Sequence, residues 1–342
     1  MRRKLFGPAL AIIVWLAPSA GAAQTSVQDA FKGKTVRMIV GLAPGGGYDT
    51  YTRLVARHFG KHIPGNPTVM VENMDGAGSL IAANHIFKVA KPDGLTIGHI
   101  VGGLFLQQLL GRPGIEFDAV KFQFIGVPTQ DNFVLGVSKA TGVTNLEKWI
   151  ASKTVIKFGG VTPGGGTDDI PKVLAHTLGL PLQVVTGYKG TGPIRLAFNS
   201  GEVHGISNAW ESLKATWRQE LDSGELVVVV QATVKAHPDL PKVPVASNLA
   251  KNEGDAKLIQ LIARVNGPTT RPYMLPPGTP KEIVETLRKA FIETMRDPDL
   301  LAEAQKAKLD IIPDDGASLE RNVREIFKLD PPLVAQLKEI LK

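Results

Sequence analysis

Apolar and polar positions along the chain alternate between two periods. Residues 35–42, TVRMIVGL, form a nearly continuous apolar run, the pattern of a strand buried on both faces. The following YDTYTRLVARHFGKH places Tyr51, Leu54, Val55, His58 and Phe59 on one face at helical spacing. TVMVEN reads as a second strand. SLIAANHIFKVA reads as a helix with Leu80, Ala83, Phe87 and Ala90 aligned, stopped by Lys91-Pro92-Asp93-Gly94, and LTIGHI as a third strand. Strands separated by helices predict a parallel sheet, because parallel neighbours need a long crossover between them.

A second round follows. FQFIGV and FVLGVS are extended, NLEKWIAS is a short helix, and VIKFGGV, LQVVTG, VHGIS and LVVVVQA are strands. Between them DDIPKVLAHTLG, GPIRLAFNSG and AWESLKATWRQELDSG are each read as one helix. Pro238, Pro241 and Pro244 mark a loop. TPKE at 279–282 has the form of a capping box and predicts a helix from Pro280; GASLERNVREIFK and PLVAQLKEILK supply two more. The C-terminal helices bring no sheet of their own, so they are expected to pack back on the first lobe. The predicted fold is α/β in two lobes, each a mostly parallel sheet flanked by helices. Residues 24–130 and 245–342 are assigned to the first lobe and 131–244 to the second, with chain crossings near 128–133 and 232–245.

The two lobes repeat one device. VRMIVGLAPGGGYD at 36–49 and VIKFGGVTPGGGTD at 155–168 coincide at seven of fourteen positions after a shift of 119 residues. A glycine turn between strand and helix at the carboxyl edge of a parallel sheet is where open α/β folds bind ligands. Glycines admit close backbone approach, and the helix that follows offers unpaired N–H groups and a positive dipole end, which suit an anion. Two such loops in two lobes would flank one cleft. Asp49 and Asp168 follow the turns, and two readings stay open for each: stabilisation of the helix N-terminus, or acceptance of a hydrogen bond from a ligand or bridging water.

Composition narrows the class. At 342 residues the chain has room for about two domains and a large core. Basic residues are spread among acids, as in KEIVETLRK, and aromatics make up only 6%, which argues against a nucleic-acid surface. The start, MRRKLFGPALAIIVWLAPSAGAA, has a basic head, a short apolar stretch and an A-x-A-type end, so residues 1–23 are expected to be a cleaved secretory signal. That segment holds three basic and no acidic residues, so its removal takes the net charge from +7 to +4. With no cysteine, disulfides and cysteine nucleophiles are excluded.

Catalytic motifs are absent. There is no GxxxxGK[ST], GxSxG or HExxH. Gly41, Ala43 and Gly46 stand at Rossmann-like spacing with Glu72 ending the next strand, but Ala43 breaks the pattern. His58 and His62 lie four apart on a helix without a third ligand, and are read as surface or core histidines. No metal and no cofactor is expected.

These segments resemble one family, the periplasmic substrate-binding receptors of tripartite tricarboxylate transporters. The likeness covers nearly all of the chain beyond the signal. Pro44, Gly45, Gly46 and Asp49 match its P-G-G-x-x-D; Val71, Glu72, Asn73, Gly76, Ala77 and Gly78 match V-E-N-x-x-G-A-G. KPDGLTIG, GGVTPGGGTDD, GYKGTGP and PPGTPKEIVETL follow in the family's order. The resemblance implies a two-lobed Venus-flytrap periplasmic binding protein. It would be a monomer that closes on a small organic carboxylate and delivers it to transmembrane components of a secondary transporter. It implies ligand contacts from Pro44, Gly45, Gly46, Gly47, Tyr48, Asp49, Gly78, Ser79, Gly165, Gly166, Thr167, Asp168, Tyr188 and Asn208. The chain departs from the family at Tyr48, Ile170, Gly187 and Asn208, and Tyr48, Tyr188 and Trp210 are candidates for an aromatic wall. The rival readings are an exported Rossmann-like oxidoreductase and a sensor that presents its ligand state to a membrane kinase.

Overall fold

In a computed structural model, residues 27–342 are described; the expected signal at 1–23 lies outside them. The chain opens with α1 (Val27–Phe31), β1 (Thr35–Val40), α2 (Gly47–Phe59), β2 (Thr68–Asn73), α3 (Leu80–Lys88), β3 (Thr96–His99), α4 (Leu104–Leu109) and β4 (Gln123–Val127). It then builds β5 (Phe133–Ser138), α5 (Leu146–Ser152), β6 (Ile156–Gly160), α6 (Asp169–Leu178), β7 (Leu182–Thr186), α7 (Thr191–Asn199) and β8 (Gly205–Ala209). There follow α8 (Trp210–Thr216), α9 (Arg218–Asp222), β9 (Leu226–Ala232) and α10 (Glu253–Asn266). Last come β10 (Tyr273–Leu275), α11 (Lys281–Met295), α12 (Pro298–Ala307), β11 (Asp314–Asp315), α13 (Gly316–Ile326) and α14 (Pro331–Ile340).

Two sheets result, ordered β11-β4-β10-β3-β1-β2 and β7-β6-β8-β5-β9. β1 lies parallel to β2 and β3, with β10 antiparallel to both β3 and β4. β6 lies parallel to β7 and β8, and β5 runs antiparallel to both β8 and β9. Both sheets are mixed: β1, β2, β3 and β4 share one direction against β10 and β11, and β6, β7, β8 and β9 share one direction against β5. In each, the chain leaves a central strand to one side and returns on the other, which makes the carboxyl ends of β1 and β6 topological switch points. These are the ends that carry the glycine loops.

Burial follows the period of each element. Val36, Met38, Ile39 and Val40 of β1 are buried, and α2 turns Tyr51, Leu54, Val55 and Phe59 inward. One apolar cluster runs from Leu80 and Phe105 through Phe133 and Ile262 to Ile170 and Trp149, so the lobes share core at the hinge. The packing moves the second boundary. α10 lies on α6 and β9, with Leu258, Ile259 and Ile262 in the shared cluster, so the chain returns to the first sheet at 267–272 rather than near 245. Two further details differ from the sequence reading. The segment 210–222 is two helices meeting at Trp217, and α11 begins at Lys281, with Thr279 donating to the Pro276 carbonyl at 2.9 Å rather than capping the helix.

Candidate functional site

The repeated loops have matching backbones. Gly45 and Gly164 have φ of +85° and +94°, the left-handed region that glycine enters freely. The N–H of each donates to a downstream carboxylate: Gly45 to Asp49 Oδ2 at 3.0 Å, and Gly164 to Asp169 Oδ1 at 2.9 Å. The second loop therefore uses the aspartate one position later than the sequence shift implies. Asp49 also accepts from Arg53 Nε and Asn73 Nδ2, each at 3.0 Å. Burial pushes its carboxyl up, but Arg53, the Gly45 N–H and Asn73 outweigh that and hold it below the usual range. Asp168 is fully buried and accepts from Thr162 N, Thr167 Oγ1 and Thr186 Oγ1 at 2.9, 2.8 and 2.5 Å. Both aspartates brace their own loops, and neither lines the cavity between the lobes.

That cavity has a volume of about 30 Å³. Gly47, Tyr48, Gly165, Gly166, Thr167 and Asn208 line it, among apolar walls from Leu42, Val101, Phe133 and Val161. The other expected residues sit elsewhere. Pro44, Gly45 and Gly46 pack against the start of α7: a Cβ on Gly46 would stand 2.8 Å from Thr191 Oγ1, and one on Gly192 would stand 3.2 Å from the Pro44 carbonyl oxygen. Gly78, at φ +63°, abuts Thr162 of the opposite loop, where a Cβ would collide. Ser79 donates to the Gly41 carbonyl at 3.0 Å inside its own lobe. Tyr188 is bonded to Glu202 and Trp210 Nε1 to Asp239, so of the proposed aromatic wall only Tyr48 reaches the cavity.

The sequence reading missed the charged centre. Asp131 lies on the first crossing between lobes and Arg271 on the second, and Arg271 Nε donates to Asp131 Oδ1 at 2.6 Å. Their side chains are 0% and 2% exposed, and both line the cavity. Arg271 also donates to Ser212 Oγ, and its guanidinium lies 4.8 and 4.9 Å from the ring centroids of Tyr48 and Tyr51. Burial alone would lower the guanidinium pKa; the Asp131 carboxylate outweighs it, so Arg271 stays charged. Burial pushes the Asp131 carboxyl up to about 7 against the pull of Arg271, with buried Glu211 adding to the rise. Arg271 Nη1, Asp131 Oδ2 and Asn208 Nδ2 are buried with no hydrogen-bond partner among the described residues.

The lobes are closed on one another. Ala43 N donates to the Lys189 carbonyl at 2.9 Å, and Gln107 Nε2 to Asp169 Oδ2 at 3.2 Å. Arg112 reaches from the first lobe to the Pro163 carbonyl at 2.6 Å and to Thr162 Oγ1 at 3.1 Å. Other candidate groups are engaged away from the cavity. Glu72, placed to reach a ribose in the Rossmann reading, pairs with Arg37 at 2.6 Å. His58 and His62 pair with Glu303 and Asp297 at 2.8 and 2.7 Å.

Comparison with known proteins agrees with this fold. The profile of the tripartite tricarboxylate transporter family receptors, TctC, matches residues 52–338. The UPF0065 protein of the TAR-I ttuE-ttuC' intergenic region of Agrobacterium vitis is 27% identical over 282 residues, 79% of this chain and 74% of its own. Among solved structures, the periplasmic binding protein BugD superposes with a TM-score of 0.75 at 20% identity, covering 91% of this chain and 98% of BugD. MatC from Rhodopseudomonas palustris with bound malate does so at 0.71 and 21%, covering 90% and 99%. A two-lobed fold closed over a cavity at paired switch points, with a family match across most of its length, places this chain in the tripartite tricarboxylate transporter receptor family, as a solute-binding receptor and not an enzyme.

Proposed function

We propose that this receptor captures a small organic carboxylate between its lobes and delivers it to the membrane components of a secondary transporter, after export and removal of residues 1–23. The supporting observation is that glycine loops from both lobes converge on one cavity. The first N–H groups of a helix have no intrahelical acceptor, so Gly47 and Tyr48 at the start of α2 present donors and a positive dipole end to an anion. Gly166 and Thr167, in the turn before α6, face the same space. A carboxylate held between them makes contacts that only the closed form supplies, so binding favours closure. Malate bound to MatC is a ligand of the same chemical class.

A thermal-shift screen of the exported protein across mono-, di- and tricarboxylates and aromatic acids tests this reading. A carboxylate should raise the melting temperature by mass action, and its methyl ester at the gripped carboxylate should not. Ester and acid acting alike would remove the anion-binding role of the loops.

A further inference from the structure

The helix starts beside the two glycine loops offer donors, and the cavity holds a carboxylate as well. Among the described residues, Arg271 Nη1 and Asn208 Nδ2 are donors without a partner and Asp131 Oδ2 is an acceptor without one; all three residues line the same cavity and are at least nine-tenths buried. A buried polar atom without a partner is destabilising, so a ligand that satisfies these three atoms is favoured over one that leaves them bare. The Arg271–Asp131 pair also joins the two crossings between lobes and is gripped by Tyr48, Tyr51 and Ser212, so its free atoms are held in place before a ligand arrives.

We propose that Arg271, Asn208 and Asp131 form a specificity subsite that reads a hydroxyl group on the bound carboxylate, and that the ligand class is therefore the hydroxycarboxylates. The hydroxyl donates to Asp131 Oδ2, while its oxygen lone pairs or a carboxylate oxygen accept from Arg271 and Asn208. An ammonium in the same place would also donate to Asp131. However, it would lie beside the Arg271 charge, and Asp131 is already neutralised by that partner, so the local field favours a neutral donor. This inference rests on the carboxylate reading above and narrows it.

The test compares matched probes on the exported receptor by calorimetry: malate against succinate, lactate against propionate, and aspartate and alanine as the ammonium arms. The hydroxy acid of each pair should bind about tenfold more tightly or better than its deoxy analogue, and more tightly than the amino acid. Asp131→Asn should reduce the preference for the hydroxy acid while deoxy acids still bind. Asn208→Ala is the second variant, expected to weaken the hydroxy acids more than the deoxy acids without disturbing the buried ion pair. The comparison in the parent protein needs no variant to fold. Equal affinity within each pair, or a folded Asp131→Asn with an unchanged preference, overturns the subsite and leaves carboxylate capture standing. Preference for the amino acids overturns the hydroxyl assignment. If no carboxylate of any kind binds, the reading beneath the inference fails with it.

Discussion

An aspartate that follows a glycine turn can face a ligand or face its own loop, and in this receptor both Asp49 and Asp168 face the loop. They do so unequally. The donors to Asp49 include exposed Gly45 and the half-exposed Arg53, which reach water when the carboxylate is lost. Asp168 satisfies the buried Thr162 N–H and Thr167 hydroxyl. Asp168→Ala should therefore cost about 2–3 kcal/mol in urea unfolding and Asp49→Ala about 1 kcal/mol, the difference being stranded buried donors. The opposite order would show that Asp49 carries more than its loop. At this scale the glycine turns were readable because their signal is local: a strand, a cluster of glycines and a helix lie within fourteen residues. The Arg271–Asp131 pair was not, because 140 positions separate its members and no period or motif relates them. Only the return of the chain at 267–272 brings them together. A lone arginine in TTRPYML, on the edge of an apolar strand, was the one available sign.

At the scale of elements, the α6 N-terminus carries a titrating group. Burial pushes the Asp169 carboxyl from its ordinary 3.8 up to about 7; Asp168 beside it adds to the rise, against the Gly164 N–H and Gln107. The folded state then holds a proton that the unfolded chain releases between about pH 4 and 7. The contribution of this group to stability is greatest below pH 4 and falls as pH rises to 7. Asp169→Asn keeps an acceptor for Gly164 and removes the titration. Urea unfolding at pH 5 and pH 7 should show a smaller loss across that interval in the variant than in the parent, and an equal loss would assign the slope to other groups, Asp131 among them. Elements with a full period were legible, including the strands that end at the loops. Short ones were not: β10 has three residues and α4 six, too few for either periodicity to show. The apolar stripe of α10 is visible in EGDAKLIQLIARVN, but a stripe does not say which lobe it covers. The C-terminal helices were expected as a group on the first lobe, and α10 settles on α6 instead.

For the whole molecule, the question is what holds the lobes together across their cleft. The shared apolar cluster lies where the lobes join, whereas the bonds from Arg112 span the mouth beside Gly78 and Thr162. Arg112 is half-buried and donates to the second loop through both terminal nitrogens, contacts that exist only when the lobes are closed. Its removal should raise the free energy of the closed form by roughly 1.5–3 kcal/mol relative to the open form, since within its own lobe the side chain makes only a long, exposed bond to the Ala77 carbonyl at 3.4 Å. That is a factor of ten or more in the closure equilibrium. Arg112→Ala should then expand the ligand-free receptor in solution scattering. It should also speed ligand dissociation about as much as it shifts that equilibrium, with little change in the association rate. Lys189, whose carbonyl accepts from Ala43, gives the control: Lys189→Ala keeps that backbone bond and loses only the exposed pairing to Asp75 at 3.2 Å, so it should leave both measurements nearly unchanged. If Arg112→Ala matches the parent in scattering and in dissociation, closure is held by the hinge core and the helix packing behind it, and the bonds at the mouth follow the lobes rather than draw them together.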